Sequence, residues 1–383
     1  MKWHMAGLHH WQRLCLLGVA WVLAACSSGP VKPTPAELVP SPDLISVQRV
    51  WAAQIGAVAL PLQAHVLGSV VTLASDDGQV LSLDAGSGAE LWRVAAGGTG
   101  RSGLSSGVGS DGKVVAAVSR NNELVTWVAG TEAWRLPLPA QVFTTPLVAG
   151  GRVFVLSGDR VVSAFDASTG RKLWTQTRTA EPLVLRQAGV LVPVGDTLLV
   201  GMSGRLLGLN PANGNVRWDA PIATPRGANE IERLVDLVAD VGRQGDEVCV
   251  RAFQAAVGCV DAARGKLLWT KPASGAVGLD SNEKLVFGVE GDGKVLTWRR
   301  ADGERAWSSD LLKFRSPTAP LVLGRSVVIG DSAGYVHFLS REDGSLLTRL
   351  ATDGSGIAAT PVVAADTLVV VTRKGGIFGF RPR

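Results

Sequence analysis

Alternation with a period of two runs through almost the whole chain. It is clearest at Val161–Trp174, VVSAFDASTGRKLW. Val161, Ser163 and Phe165 interleave with Val162, Ala164 and Asp166, which predicts a strand. Asp166 and Gly170 bracket a tight turn. An Asp can bond its own backbone there, and a Gly can take positive φ without steric cost. Trp174 lies in the strand that follows. Within this repeat the pattern predicts an inner strand over Thr144–Ala149, a second over Arg152–Leu156, a third over Val161–Phe165 and an outer one over Lys172–Thr175.

The same phrase recurs. Gly followed four residues later by Trp stands at Gly88/Trp92, Gly130/Trp134, Gly170/Trp174, Gly214/Trp218, Gly265/Trp269 and Gly303/Trp307. A seventh copy, Gly344/Thr348, keeps the Gly and loses the Trp. Asp84, Asp166, Asn210 and Asp261 stand four residues before their glycines. A spacing of about 40 residues with only β signals is the period of a four-stranded propeller blade. Trp51 sits in Ser46–Gln54, a fourth strand without its first three, and Gly375–Phe380 resembles a third strand without its fourth. The fragments complement each other. The expectation is an all-β, eight-bladed β-propeller of four-stranded antiparallel blades, its ring closed by the N-terminal strand so that no edge is left open at the seam. The tryptophans are expected between neighbouring blades rather than around a ligand.

Composition adds limits. With 383 residues, 46% apolar and 46 Gly, the chain can bury a large core and is far from a disordered composition. The net charge of +5 falls to +3 without Lys2 and Arg13. That is too mild and dispersed to argue for nucleic acid. Gly107–Gly112 spells a dinucleotide fingerprint and Gly103–Gly107 a nucleophile elbow, but a strand pattern follows where each needs a helix. His65 and His337, the histidines beyond the leader, lie in different repeats with no His or Cys at ligand spacing. No metal site, no cofactor and no catalytic triad is expected.

Residues 1–25 are expected to be a cleaved leader: Lys2 and Arg13, then a short apolar run from Leu14 to Ala25. It ends Leu23-Ala24-Ala25-Cys26-Ser27, which resembles a bacterial lipobox. Cys26 is then the lipidated residue. By the same likeness, Ser27 directs the chain to the outer membrane, facing the periplasm. Acyl chains contribute about 0.8 kcal/mol per buried CH₂, enough for a durable anchor. Residues 26–44 hold five prolines and are expected to be an extended tether, with one folded domain over 45–383.

Cys249 and Cys259 lie equidistant from a turn centred near Gln254, so they can face each other across a hairpin. They are either a disulfide or two buried thiols. An oxidising periplasm favours the bond, which for so short a loop contributes roughly 2–3 kcal/mol.

Two connections depart from the repeat. One holds Glu181-Pro-Leu183-Val-Leu185-Arg186, the other Arg226 through Asp236. Both join the outer strand of one blade to the inner strand of the next, in consecutive blades. Arg186 and Asp236 are therefore expected to be neighbours on one rim. Apolar anchors beside an Arg with directional donors have the chemistry of a protein interface.

The Gly–Trp repeat resembles the tryptophan-docking motif of pyrroloquinoline-quinone dehydrogenases. The whole chain more closely resembles the BamB family, outer-membrane lipoproteins of the β-barrel assembly machinery. The specific part is Leu183-x-Leu185-Arg186 with Glu230-Ile231-x-Arg233-Leu234-x-Asp236. The resemblance implies a non-enzymatic scaffold that binds the periplasmic domains of BamA, joins other subunits of the machinery and assists insertion of β-barrel proteins, with unfolded barrel proteins as further contacts. Leu183, Leu185, Arg186 and Asp236 are then the partner-binding residues. A second acid common in the family is Val238 here. The competing readings are a quinoprotein dehydrogenase, which lacks an adjacent Cys pair in this chain, and a ligand- or cell-wall-binding propeller.

Overall fold

The computed structural model describes residues 33–59, 62–96, 103–178, 183–225, 228–229 and 233–383. Cys26, Glu181, Arg226, Glu230, Ile231 and the expected leader lie outside them. The described residues form eight four-stranded antiparallel sheets arranged as a closed propeller. Seven blades are continuous in sequence. The eighth takes its inner three strands from Val362–Ala364, Thr367–Val371 and Gly376–Pro382, and its outer strand from Val47–Gln54. Val47 pairs with Pro382 and Gln54 with Gly376. The two end fragments therefore close the ring as expected. In the third blade the strands are Leu147–Ala149, Arg152–Leu156, Val161–Asp166 and Lys172–Thr177. The inner strand starts at Leu147 rather than Thr144. The segments with dinucleotide and nucleophile spellings enter the second blade at the strand Gly109–Ser110.

The tryptophans hold adjacent blades together, and each sequence Gly–Trp pair is split between two junctions. Trp174, on the outer strand of the third blade, lies over Gly214 in the turn between the third and fourth strands of the next blade. Its Nε1 donates to Pro211 O at 3.0 Å. Trp51 docks in the same way on Gly88, Trp134 on Gly170, Trp269 on Gly303 and Trp307 on Gly344. Each of these indoles donates to a carbonyl of the same turn, as Trp51 does to Ala85 and Trp307 to Arg341. Trp92 and Trp218 face Gly130 and Gly265. Asp166 braces its turn by accepting from the backbone N of Ser168 and Thr169, and these bonds with the two hydroxyls hold its carboxyl at about 2.

One junction lacks this dock. The eighth blade has chain ends in place of that turn, so a Trp on the seventh has nothing to meet, and Thr348 stands in its position. The N-terminal chain runs along one side of the slot. Thr348 Oγ1 donates to Asp43 at 2.9 Å, Leu44 N to Leu347 O at 2.8 Å, and Arg349 to Val39 O at 2.7 Å. Farther along, Ala36 N bonds Lys313 O and Arg315 bonds Ala36 O, both at 2.9 Å. The expected tether is corrected here: its residues 36–44 are strapped along the seventh blade and belong to the folded unit. Proline removes N–H donors but leaves carbonyls, and the carbonyls of Ala36, Val39 and Leu44 each accept from an arginine.

Cys249 and Cys259 pair in register and form a disulfide, with Cα atoms 4.0 Å apart. His65 and His337 lie in separate strands. His337 is buried with Nε2 3.0 Å from Asp331, which also accepts from Arg315 at 2.8 Å.

Inner strands surround an axial funnel. Asp280 and Asp240 face it together with Gln63. Asp280 accepts from Val322 N at 2.6 Å. Burial pushes its carboxyl up to about 6, against a normal 3.8, and the Asp240 charge adds to the effect. The folded chain therefore holds this proton more tightly than the unfolded one. Stability is lost as pH rises from 3.8 through 6, and above 6 the full penalty, about 3 kcal/mol, is present.

Two expectations follow from this packing. Gly214→Ala places a Cβ 2.6 Å from Trp174 at φ +77, whereas Gly195→Ala, at φ +56, meets nothing within 4 Å. Both substitutions carry the left-handed penalty of about 1 kcal/mol, and only Gly214→Ala adds roughly 1–3 kcal/mol of overpacking. Urea unfolding should separate the two variants; equal losses would refute the docking account. The melting temperature of Asp280→Asn relative to the unmodified chain should be higher at pH 7.5 than at pH 3.5. The same shift at both pH values would show that Asp280 ionisation carries no penalty.

Candidate docking site on the rim

Alternation of strand direction puts two sets of loops on one face: the connections between blades and the turns between second and third strands. The site lies there, where the third, fourth and fifth blades meet. Residues 183–190 cross from the third blade to the fourth, and residues 222–236 from the fourth to the fifth. The first connection is bonded to the inner strand of the fifth blade, Leu237–Gln244, into which the second one leads. Ala239 N donates to Ala188 O at 3.0 Å, and Gly189 bridges to Val238. Gly189 N also donates to Thr144 Oγ1 at 3.1 Å.

An ion pair organises the crossing. Asp236 accepts from Arg160 at 2.6 Å and, through its other oxygen, from Leu185 N at 3.1 Å. Arg160 also donates to Leu183 O at 2.6 Å. Both charged side chains are largely buried, 8% and 15% exposed, so removing either leaves the other short of compensation. One clamp thereby fixes the backbone at Leu183 and Leu185.

The clamp leaves part of the loop outward. Leu183 is exposed, Leu185 is half-buried, and Arg186 is exposed with its guanidinium 5.6 Å from the centre of the Phe143 ring. Arg186 also reaches the mouth of the axial funnel. The four expected residues are thus brought together, but in two roles. Leu183 and Arg186 are presented, while Asp236 faces inward and positions them. Val238 is buried and paired in the sheet, so an acid there has no outward route in this backbone arrangement.

Sequence reasoning missed Arg160, although a signal was present. It stands at φ +61 in the turn between second and third strands. Corresponding turns of other blades carry Gly78, Asn122, Gly293, Gly334 or Gly375 at positive φ. A bulky residue where most blades use Gly or Asn, as Arg160 here and Gln254 in the fifth blade, marks a side chain with a local task. Alignment of SGDR at 157–160 with EGDG at 290–293 exposes the departure. Among the described residues, no group of three His, Cys, Asp or Glu could hold a metal ion.

The family model described as outer membrane protein assembly factor BamB matches residues 76–309. A relative from Burkholderia pseudomallei, named outer membrane protein assembly factor BamB, is 39% identical, covering 94% of this chain and 95% of its own. One of the same name from Bordetella pertussis is 34% identical, covering 96% of each. The crystal structure of BamB from Moraxella catarrhalis superposes with a TM-score of 0.78 at 22% identity, over 88% of this chain and 99% of that one. A quinohemoprotein alcohol dehydrogenase from Comamonas testosteroni shares the fold at a TM-score of 0.67 and 13% identity, over 88% and 77% of the two chains. That likeness extends to the propeller alone. By family model and by near full-length identity, this chain belongs to the family of outer membrane protein assembly factor BamB.

Proposed function

We propose that this chain is a non-enzymatic assembly factor for outer-membrane proteins that works by docking onto the β-barrel assembly machinery through its rim loops. The partner is the periplasmic region of BamA. Leu183 and Leu185 supply apolar anchors, Arg186 supplies a directional cation, and Asp236 acts through the loop it holds. The supporting observation is the clamped, outward-facing Leu183–Arg186 segment on a chain of this family. An exposed apolar side chain beside an Arg, held by buried bonds at each end of a short loop, loses little entropy on binding. Other lipoprotein subunits and unfolded barrel proteins are further contacts in this reading.

Cys26 is the lipid attachment point in the same reading. Cleavage before it leaves residues 26–35 as the tether and starts the folded body at the strap, ten residues later. The body then faces the periplasm from the outer membrane.

The test is binding of residues 27–383 to purified BamA periplasmic domains. Arg186→Glu and Leu183→Asp should each weaken binding by about 2 kcal/mol, roughly 30-fold, with circular dichroism unchanged. Arg160→Gly introduces the residue found at this turn in the first, sixth, seventh and eighth blades and frees the loop, so it too should weaken binding in a folded propeller. Full affinity in all three variants would move the interface elsewhere. Absence of binding by the unmodified body would reject direct contact.

A further inference from the structure

The junction without a tryptophan dock contains a cavity of about 540 Å³ on the face opposite the rim site. It lies where a turn would join the third and fourth strands of the eighth blade, had those strands not been chain ends. Ile45, Val47, Leu323, Phe338, Leu368 and Phe380 line it. Its size falls within the roughly 300–1,000 Å³ of small-molecule pockets. Apolar cavities stay dry and take apolar ligands, while a polar ligand would strand its donors and acceptors there.

The mouth is not neutral. Arg325 and Arg381 border the cavity, with Asp366. Arg381 is committed to Asp366, Thr367 and the Gly86 carbonyl. Arg325 is exposed and gives Nη2 to Leu44 O at 3.0 Å, in the strap that forms one wall. Its charge has no carboxylate partner among the described residues. A greasy chamber with one uncommitted cation at its rim selects a chain with an anionic head.

We propose that this seam cavity binds a single linear acyl chain bearing a carboxylate, with the chain against Phe338 and Phe380 and the head at Arg325. The site is formed by the same event that closes the ring, since the strap and both chain ends build its walls. It is independent of the rim loops and of any partner bound there.

The probe is dodecanoate, titrated calorimetrically into the full-length chain below its micellar concentration, with dodecanol and dodecylammonium in parallel. One saturable site is expected for dodecanoate, with dodecanol about tenfold weaker and dodecylammonium weaker still. Arg325→Gln should reduce dodecanoate to the level of dodecanol. Leu323→Trp and, separately, Val363→Phe should fill the chamber and abolish binding of all three. Dodecanoate should also raise the melting temperature of the unmodified chain, a readout that needs no variant. No saturable binding, or binding unchanged in both filling variants, overturns the proposal. Equal affinity for dodecanoate and dodecanol refutes the role of Arg325. A concentration-dependent dimer that Leu323→Trp abolishes would assign the cavity to a second copy of the chain instead.

Discussion

Seven of the eight junctions between blades share one contact: an indole packed on a left-handed glycine. The glycine must take positive φ to close its own turn, and it must lack a Cβ to admit the ring from the preceding blade. Both demands fall on one atom. Because a blade buries its faces only against adjacent blades, the stability of the ring is close to a sum of such junctions. The charged braces at the turns, such as Asp166, keep the glycine at the correct height for the indole. The junction that lacks the glycine has to be rebuilt from other parts, and the strap with Asp43 and Leu44 supplies them.

That constraint decides where function can go. Turns between third and fourth strands are held by the docking geometry and have little freedom to vary. Connections between blades carry no such duty, and two of them have departed from the repeat. Their departure is disciplined rather than loose. A buried Arg160–Asp236 pair costs desolvation and gives back geometry, since each partner also makes a hydrogen bond to the loop backbone. The arrangement separates the residue that organises the site from the residues that the site presents.

The docking motif was legible in the sequence because the period is near constant and the residues involved are rare types. Ring closure was legible from two fragments that lacked complementary strands. The cysteine register followed from a symmetric hairpin. Three things were not legible. The first is the strap: prolines specify extended backbone, but whether that backbone meets solvent or an open slot depends on Thr348, some 300 residues away in sequence. The second is Arg160, whose meaning depends on a comparison between blades rather than on its neighbours. The third is the inward orientation of Asp236, which no local pattern encodes, because a carboxylate in a polar loop reads the same whether it faces a partner or a buried guanidinium.

The two faces of the propeller follow from the handling of the chain ends. Strand direction sends the start of the outer strand and the end of the third strand to the same face, so closure by the N-terminal strand brings Ser46 and Arg383 together there. Their pairing completes the sheet but cannot reproduce a turn, and the space a turn would have filled remains as an apolar chamber. On the opposite face nothing interrupts the succession of loops, so a docking surface can extend over three adjacent blades. A ring sealed by a continuous C-terminal strand and its own turn would restore the eighth tryptophan dock at the expense of the chamber. The chamber and the strap are therefore a single structural consequence of sealing the ring with the beginning of the chain.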